Sequence, residues 1–148
     1  QPIPELRKLR RDHFEQSDIV LNDQSRGFDK ILSELLEIKV EFKPETAVEF
    51  GLKVRCSEDS SRFVKISCDG EFLEVEGDKT PARLMDGEQT LRLHLFLDHQ
   101  SLEVFANDWV VYTEKMSAPA TDLGVEVFSR GGTTRINRLN VWKLSSIW

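Results

Sequence analysis

Between Leu91 and Leu97 every second residue is leucine: Leu91, Leu93, Leu95 and Leu97 share one phase, and Arg92, His94 and Phe96 share the other. A period of two sends side chains alternately to opposite faces of an extended chain, so this stretch reads as a strand with one buried face. At ~1.5–3 kcal/mol per buried large apolar side chain, the four leucines contribute roughly 6–12 kcal/mol before the entropy of ordering is subtracted. A register slip of one residue would expose all four, so their pairing is tightly specified.

The same alternation recurs along the chain. Leu36, Ile38, Val40 and Phe42 alternate with charged residues in the segment Glu34 to Phe42. Val48, Phe50, Leu52, Val54 and Cys56 share one phase in Thr46 to Cys56, and Val64, Ile66 and Cys68 share one in Arg62 to Cys68. Shorter strands are expected at Ser101 to Ala106, Val110 to Lys115, Gly124 to Ser129 and Thr133 to Leu144. Between them lie Asp98-His99-Gln100, Asn107-Asp108 and Gly131-Gly132, residue types that suit tight turns. Many short strands with regular turn signals predict an all-β fold, an antiparallel sandwich or barrel; the expected form is an antiparallel two-sheet β-sandwich, which resembles lectin-like jelly-roll folds. Residues 1–12 are expected to form a linker or short helix, with Pro2 and Pro4 extended and Leu6 and Leu9 on one face, and residues 13–148 the sandwich.

A length of 148 residues suits one domain with its own core. The formal charge of −6 argues against nucleic acid, which needs a basic face. No apolar run approaches the ~20 residues of a membrane helix. The charged opening QPIPELRKLRRDHF contains no apolar signal segment, which leaves cytoplasm and export both open. Cys56 and Cys68 fall on the buried phase of neighbouring strands. A hairpin turning near Glu58 to Ser61 would hold them about 20 Å apart at ~3.3 Å per residue, too far for a disulfide, so buried free thiols are expected. With His13, His94 and His99 dispersed, no metal site and no cofactor are expected.

Two stretches carry a resemblance to a known family. The string LRLHLFLDHQSLEVFANDWVVYT resembles the signature of the C-terminal domain of glycoside hydrolase family 32, with Asp98, Ser101, Glu103, Phe105 and Asn107-Asp108 at the signature positions. The string LGVEVFSRGGTTRINRLNVWKLSSIW is similar to that family's closing strands through Gly124, Phe128, Gly132 and Trp142. Upstream, QPIPELRKLR resembles the stretch where the family's chain leaves its five-bladed catalytic propeller. The family usually has Gly where this chain has Trp109. Here Asn107 or Asp108 must adopt positive φ, or the turn differs.

The resemblance implies a parent enzyme that cleaves β-fructofuranosyl bonds with retention, its catalytic residues on the propeller in Trp-Met-Asn-Asp-Pro, Arg-Asp-Pro and Glu-Cys motifs. In this chain Arg11-Asp12 runs on to His13, Asn107-Asp108 to Trp109, and no Glu precedes either cysteine. No catalytic residue is therefore expected. Asp98 and Glu103 flank one hairpin, but Asp98 is expected to cap its turn and Glu103 to sit on a sheet face. Trp142 lies in the patterned stretch Ile136 to Leu144, which favours core packing. Trp109 follows a turn and is the candidate platform for stacking on a sugar, while Trp148 covers an edge or frays. Glu58-Asp59 and Asp86-Gly87-Glu88 read as solvated loops, and Gly131-Gly132 as a turn.

The resemblance implies a non-catalytic module that packs on the N-terminal propeller of its own protein, with Pro2, Pro4, Leu6 and Leu9 in or near the joint. A homodimer of the separated piece is a further expectation, because an uncovered apolar face drives association. The alternative is a carbohydrate-binding module for fructan or sucrose.

Overall fold

The computed structural model describes residues 10–28, 32–81, 90–107, 109–115 and 118–145. Twelve strands fill them: β1 (Arg10–Asn22), β2 (Ser25–Phe28), β3 (Leu36–Pro44), β4 (Glu49–Cys56), β5 (Val64–Cys68), β6 (Phe72–Val75), β7 (Asp78–Pro81), β8 (Leu91–Leu97), β9 (Ser101–Ala106), β10 (Trp109–Lys115), β11 (Gly124–Arg130) and β12 (Thr133–Leu144). They form two six-stranded sheets, ordered β1-β12-β3-β8-β9-β10 and β2-β11-β4-β5-β6-β7. Neighbouring strands are antiparallel throughout. The expected all-β sandwich is the fold observed.

The alternating residues supply the core. Leu91, Leu93, Leu95 and Leu97 are each at most 2% exposed. They lie opposite Phe42, Val40, Ile38 and Leu36 of β3 in unbroken register. The second sheet contributes Phe50, Leu52, Val54, Ile66, Val125 and Val127 to the same cluster. Phe42 and Phe50 meet across the sandwich with ring centroids 5.2 Å apart. Because side chains on a strand alternate, this packing also dictates the residues of the outer faces.

The first strand, β1, begins at Arg10, within the stretch expected to be linker or short helix. Its sequence RRDHFEQSD shows no clean alternation because β1 is an edge strand, but it pairs with β12 from Arg10↔Leu144 to Asn22↔Thr133. Only Ile19 and Leu21 of this strand are fully buried. Pro2, Pro4, Leu6, Leu9, the stretch Asp86-Gly87-Glu88, Asp108 and Trp148 lie outside the described residues. Asn107 takes the positive φ (49°) that its turn needs without a glycine. Its side-chain oxygen accepts from the Arg92 amide at 2.9 Å, and its own amide donates to the Arg92 carbonyl at 2.8 Å. Cys56 and Cys68 are free and buried. Phe50 pairs with Cys68 and Val54 with Val64, so the two thiols sit toward opposite ends of the β4–β5 hairpin.

The strand β12 corrects one expectation. Ile136 pairs with Phe42 and Arg138 with Glu41, so Asn137 is an extra residue that bulges the strand relative to β3. A bulge reverses the phase of everything beyond it. Leu139 and Val141 become buried, and Trp142, expected in the core, turns to the outer face opposite Glu37.

Truncation of a β8 leucine tests this core. Leu95→Ala is expected to lower the unfolding free energy by about 2–5 kcal/mol, read from urea denaturation. A loss under about 1 kcal/mol would mean that β8 is not central.

Candidate functional site

The outer face of the first sheet is organised around a carboxylate. Glu37 projects outward from β3 yet is only 2% exposed. The Arg10 guanidinium donates to both its oxygens, Nε to Oε1 at 2.7 Å and Nη2 to Oε2 at 2.8 Å. His94 Nε2 lies 2.6 Å from Oε2. An ionised carboxylate only accepts, so that imidazole nitrogen carries the proton. Burial pushes the Glu37 carboxyl up, but the hydrogen bonds and charges of Arg10 and His94 outweigh it and bring it from 4.5 to about 2.

Aromatic rings cover this ion pair. Arg10 lies 3.8 Å from the centre of the Trp142 ring, and His13 stacks on the same ring at 4.8 Å and 7°. His13 Nε2 is 2.7 Å from Asn140 Oδ1. On the other side, His94 packs on Phe96 at 4.7 Å, and Phe105 meets Phe96 edge-on at 6.3 Å. Beside the cluster runs an open cavity of about 360 Å³, lined on the outer face by Lys39, Glu41, Arg92, His94, Asn137, Arg138 and Asn140. The outer face of the second sheet differs: Glu49 pairs with Lys65 (3.2 Å) and with Arg130 (2.9 Å), and Lys53 lies over the exposed Phe63 ring at 4.6 Å.

A second cluster ties one end of the sandwich. Arg55, with φ of 52°, is buried and donates Nε to the Asp122 carbonyl at 2.7 Å and Nη2 to the Pro119 carbonyl at 2.9 Å. Arg62 grips the buried Asp122 carboxylate with two bonds of 3.1 Å. Glu34 stands 3.5 Å from Arg55 and 3.2 Å from His99, so it joins the second sheet to the β8–β9 turn of the first.

The residues singled out in the sequence are dispersed. Asp98 Oδ1 accepts from the amides of Gln100 (2.8 Å) and Ser101 (2.7 Å). Burial raises its carboxyl, yet these bonds hold it below the ordinary value. Glu103 is exposed on the outer face opposite Phe96. Gly124 lies against Cys56, where an added Cβ would stand 2.9 Å from the cysteine Cβ. Trp109 opens β10 opposite Ala106, and its side chain lies outside the described residues. Among the described residues, no group of three or more His, Cys, Asp or Glu is placed to hold a metal ion. Sequence reasoning missed Glu37 and Arg10. The signal was there in the aromatic residues out of phase with the core, Phe96 and Phe105, which marked an outer face unlike a solvated one.

Comparison with known proteins fixes the family. The family model described as "Glycosyl hydrolases family 32 C terminal" matches residues 5–143. This chain belongs to that family. The family 32 domain is 25% identical to a levanase of Bacillus subtilis (strain 168), over 99% of this chain and 24% of the levanase. It is 28% identical to a levanase of Bacillus sp. (strain L7), over 76% of this chain and 14% of that protein. It thus spans about a quarter of the first relative and less of the second. Fructan 1-exohydrolase IIa from Cichorium intybus shares the fold at a TM-score of 0.82 and 12% identity, over 99% of this chain and 38% of that one. Exo-inulinase from Aspergillus awamori does so at 0.77 and 19%, over 91% and 29%.

Glu37 gives a prediction in pH. A depressed carboxyl stabilises the fold fully above its unfolded value of 4.5, and that contribution is lost as pH falls through about 2. The shift corresponds to about 3 kcal/mol at neutral pH. Glu37→Gln is expected to cost that much at pH 7 and progressively less toward pH 2, by urea unfolding across the range. A pH-independent difference would contradict the ion pair.

Proposed function

We propose that this domain is a non-catalytic module of a retaining β-fructofuranosidase, packed on the propeller that hydrolyses sucrose or fructan and stabilising it. The observation that carries the reading is the family match over residues 5–143 in a chain spanning only about a quarter of its levanase relative. The chemistry of the carboxylates supports it. Retaining hydrolysis needs two carboxyl groups about 5–5.5 Å apart, one of them protonated. Among the described residues, every carboxyl with a displaced pKa is displaced downward: Glu37, Glu49, Asp59, Asp69 and Asp98. Such groups stay ionised and serve poorly as general acids. Glu37 and Asp98 are also committed to guanidinium, imidazole and backbone donors.

The purified domain is expected to release no fructose from sucrose, inulin or levan, while the parent enzyme does. Turnover that co-purifies with the domain and survives its re-isolation would refute the non-catalytic role. Removal of the domain is expected to lower the thermal midpoint of the remaining catalytic portion by several degrees in a calorimetric scan; an unchanged midpoint would argue against a stabilising role.

The cavity on the first sheet favours a second reading, a carbohydrate-binding module. Its amide, guanidinium, ammonium and carboxylate groups are the types that bond sugar hydroxyls. Trp142 offers little platform, because His13 and Arg10 already lie against its ring. Titration with levan and inulin followed by Trp fluorescence distinguishes the readings. Saturable binding lost in Asn140→Ala and retained in Lys53→Ala supports sugar binding; no change at millimolar sugar removes it.

A further inference from the structure

We infer that the outer face of the first sheet, centred on Arg10, Glu37, His94, Phe96 and Trp142, is the surface that docks on the catalytic domain of the same polypeptide. This rests on the proposed role above and names the surface that performs it. One outer face of a β-sandwich normally carries solvated charge. Here it carries a carboxylate 2% exposed, beneath a guanidinium and two aromatic groups. Trp, Phe and Arg are the residues that interface cores favour. Covering the cluster is inexpensive, because Glu37 is already out of water and its charge is matched by Arg10 and the His94 N–H. The second sheet's face would lose exposed, solvated ion pairs involving Lys65 and Arg130.

The edge strand β1 belongs to this sheet, and its Arg10 grips Glu37 and lies on Trp142. In the exo-inulinase and the fructan 1-exohydrolase that share the fold, a region like this one makes up 29% and 38% of the chain, so most of each lies outside it.

Hydroxyl-radical footprinting of the full-length enzyme against this 148-residue chain tests the inference. Trp142 and Phe96 are expected to be oxidised at least fivefold more slowly in the full-length enzyme. Phe63 and Phe72, exposed on the second sheet's face, are expected to react equally in both. Protection of Phe63 and Phe72 instead would overturn the choice of face while leaving the packing role intact. Equal reactivity at all four, with the two parts unfolding independently, would remove both. Protection of Trp142 in the isolated chain by levan alone, with none from the catalytic domain, would assign the face to sugar and overturn the inference.

Discussion

A strand has two faces, and the phase in which β12 divides its residues between them decides both the inside and the outside of this domain. β12 is hydrogen-bonded to β1 on one side and β3 on the other. Its extra residue, Asn137, moves the buried set from Thr134 and Ile136 to Leu139 and Val141. Were Asn137 accommodated in regular alternation instead of a bulge, Trp142 would face the core and Leu139 the solvent. With the bulge, the core stays continuous and Trp142 comes to lie over Arg10 and opposite Glu37. One residue of phase therefore links the packing of the sandwich to the character of its outer surface.

That surface shows how a charge can be held out of water on a sheet face. Glu37 satisfies both oxygens through a two-pronged guanidinium and an imidazole, which is the condition under which a desolvated charge is tolerated. Trp142 and Phe96 pack against its partners, and the carboxylate is shielded while the Arg10 side chain stays 21% exposed. The opposite face uses longer, more exposed contacts around Glu49, of the kind that contribute little. The asymmetry between the two faces underlies the proposal that the first docks on the catalytic domain.

Much of the fold was legible because the central strands are buried on one face only: β8 spans the very residues its leucines mark, and β3, β4, β5 and β9 follow their alternation to within three residues at either end. The Asp98 turn and the positive φ at Asn107 were legible from turn chemistry. β1 was not, since an edge strand buries few side chains and so shows little pattern. β6 and β7, four residues each, are too short for periodicity to register. Trp142 was misplaced because it was read in the phase of Ile136, although the step from Ile136 to Leu139 and Val141 changes the apolar phase where the bulge lies. Glu37 was read as one of several charged residues between core positions. Its burial depends on Arg10, 27 positions earlier in the chain, and on His94, 57 positions later, which only the sheet brings beside it.

The outer face of the first sheet depends on Glu37 being an ionised, shielded ion-pair partner. The direct measurement is the titration of its side-chain carboxyl carbon by NMR in the folded domain. A midpoint near 2 is expected. A midpoint at or above the ordinary 4.5 would mean that Arg10 and His94 do not hold it. The shielded ion pair on this face would then be contradicted.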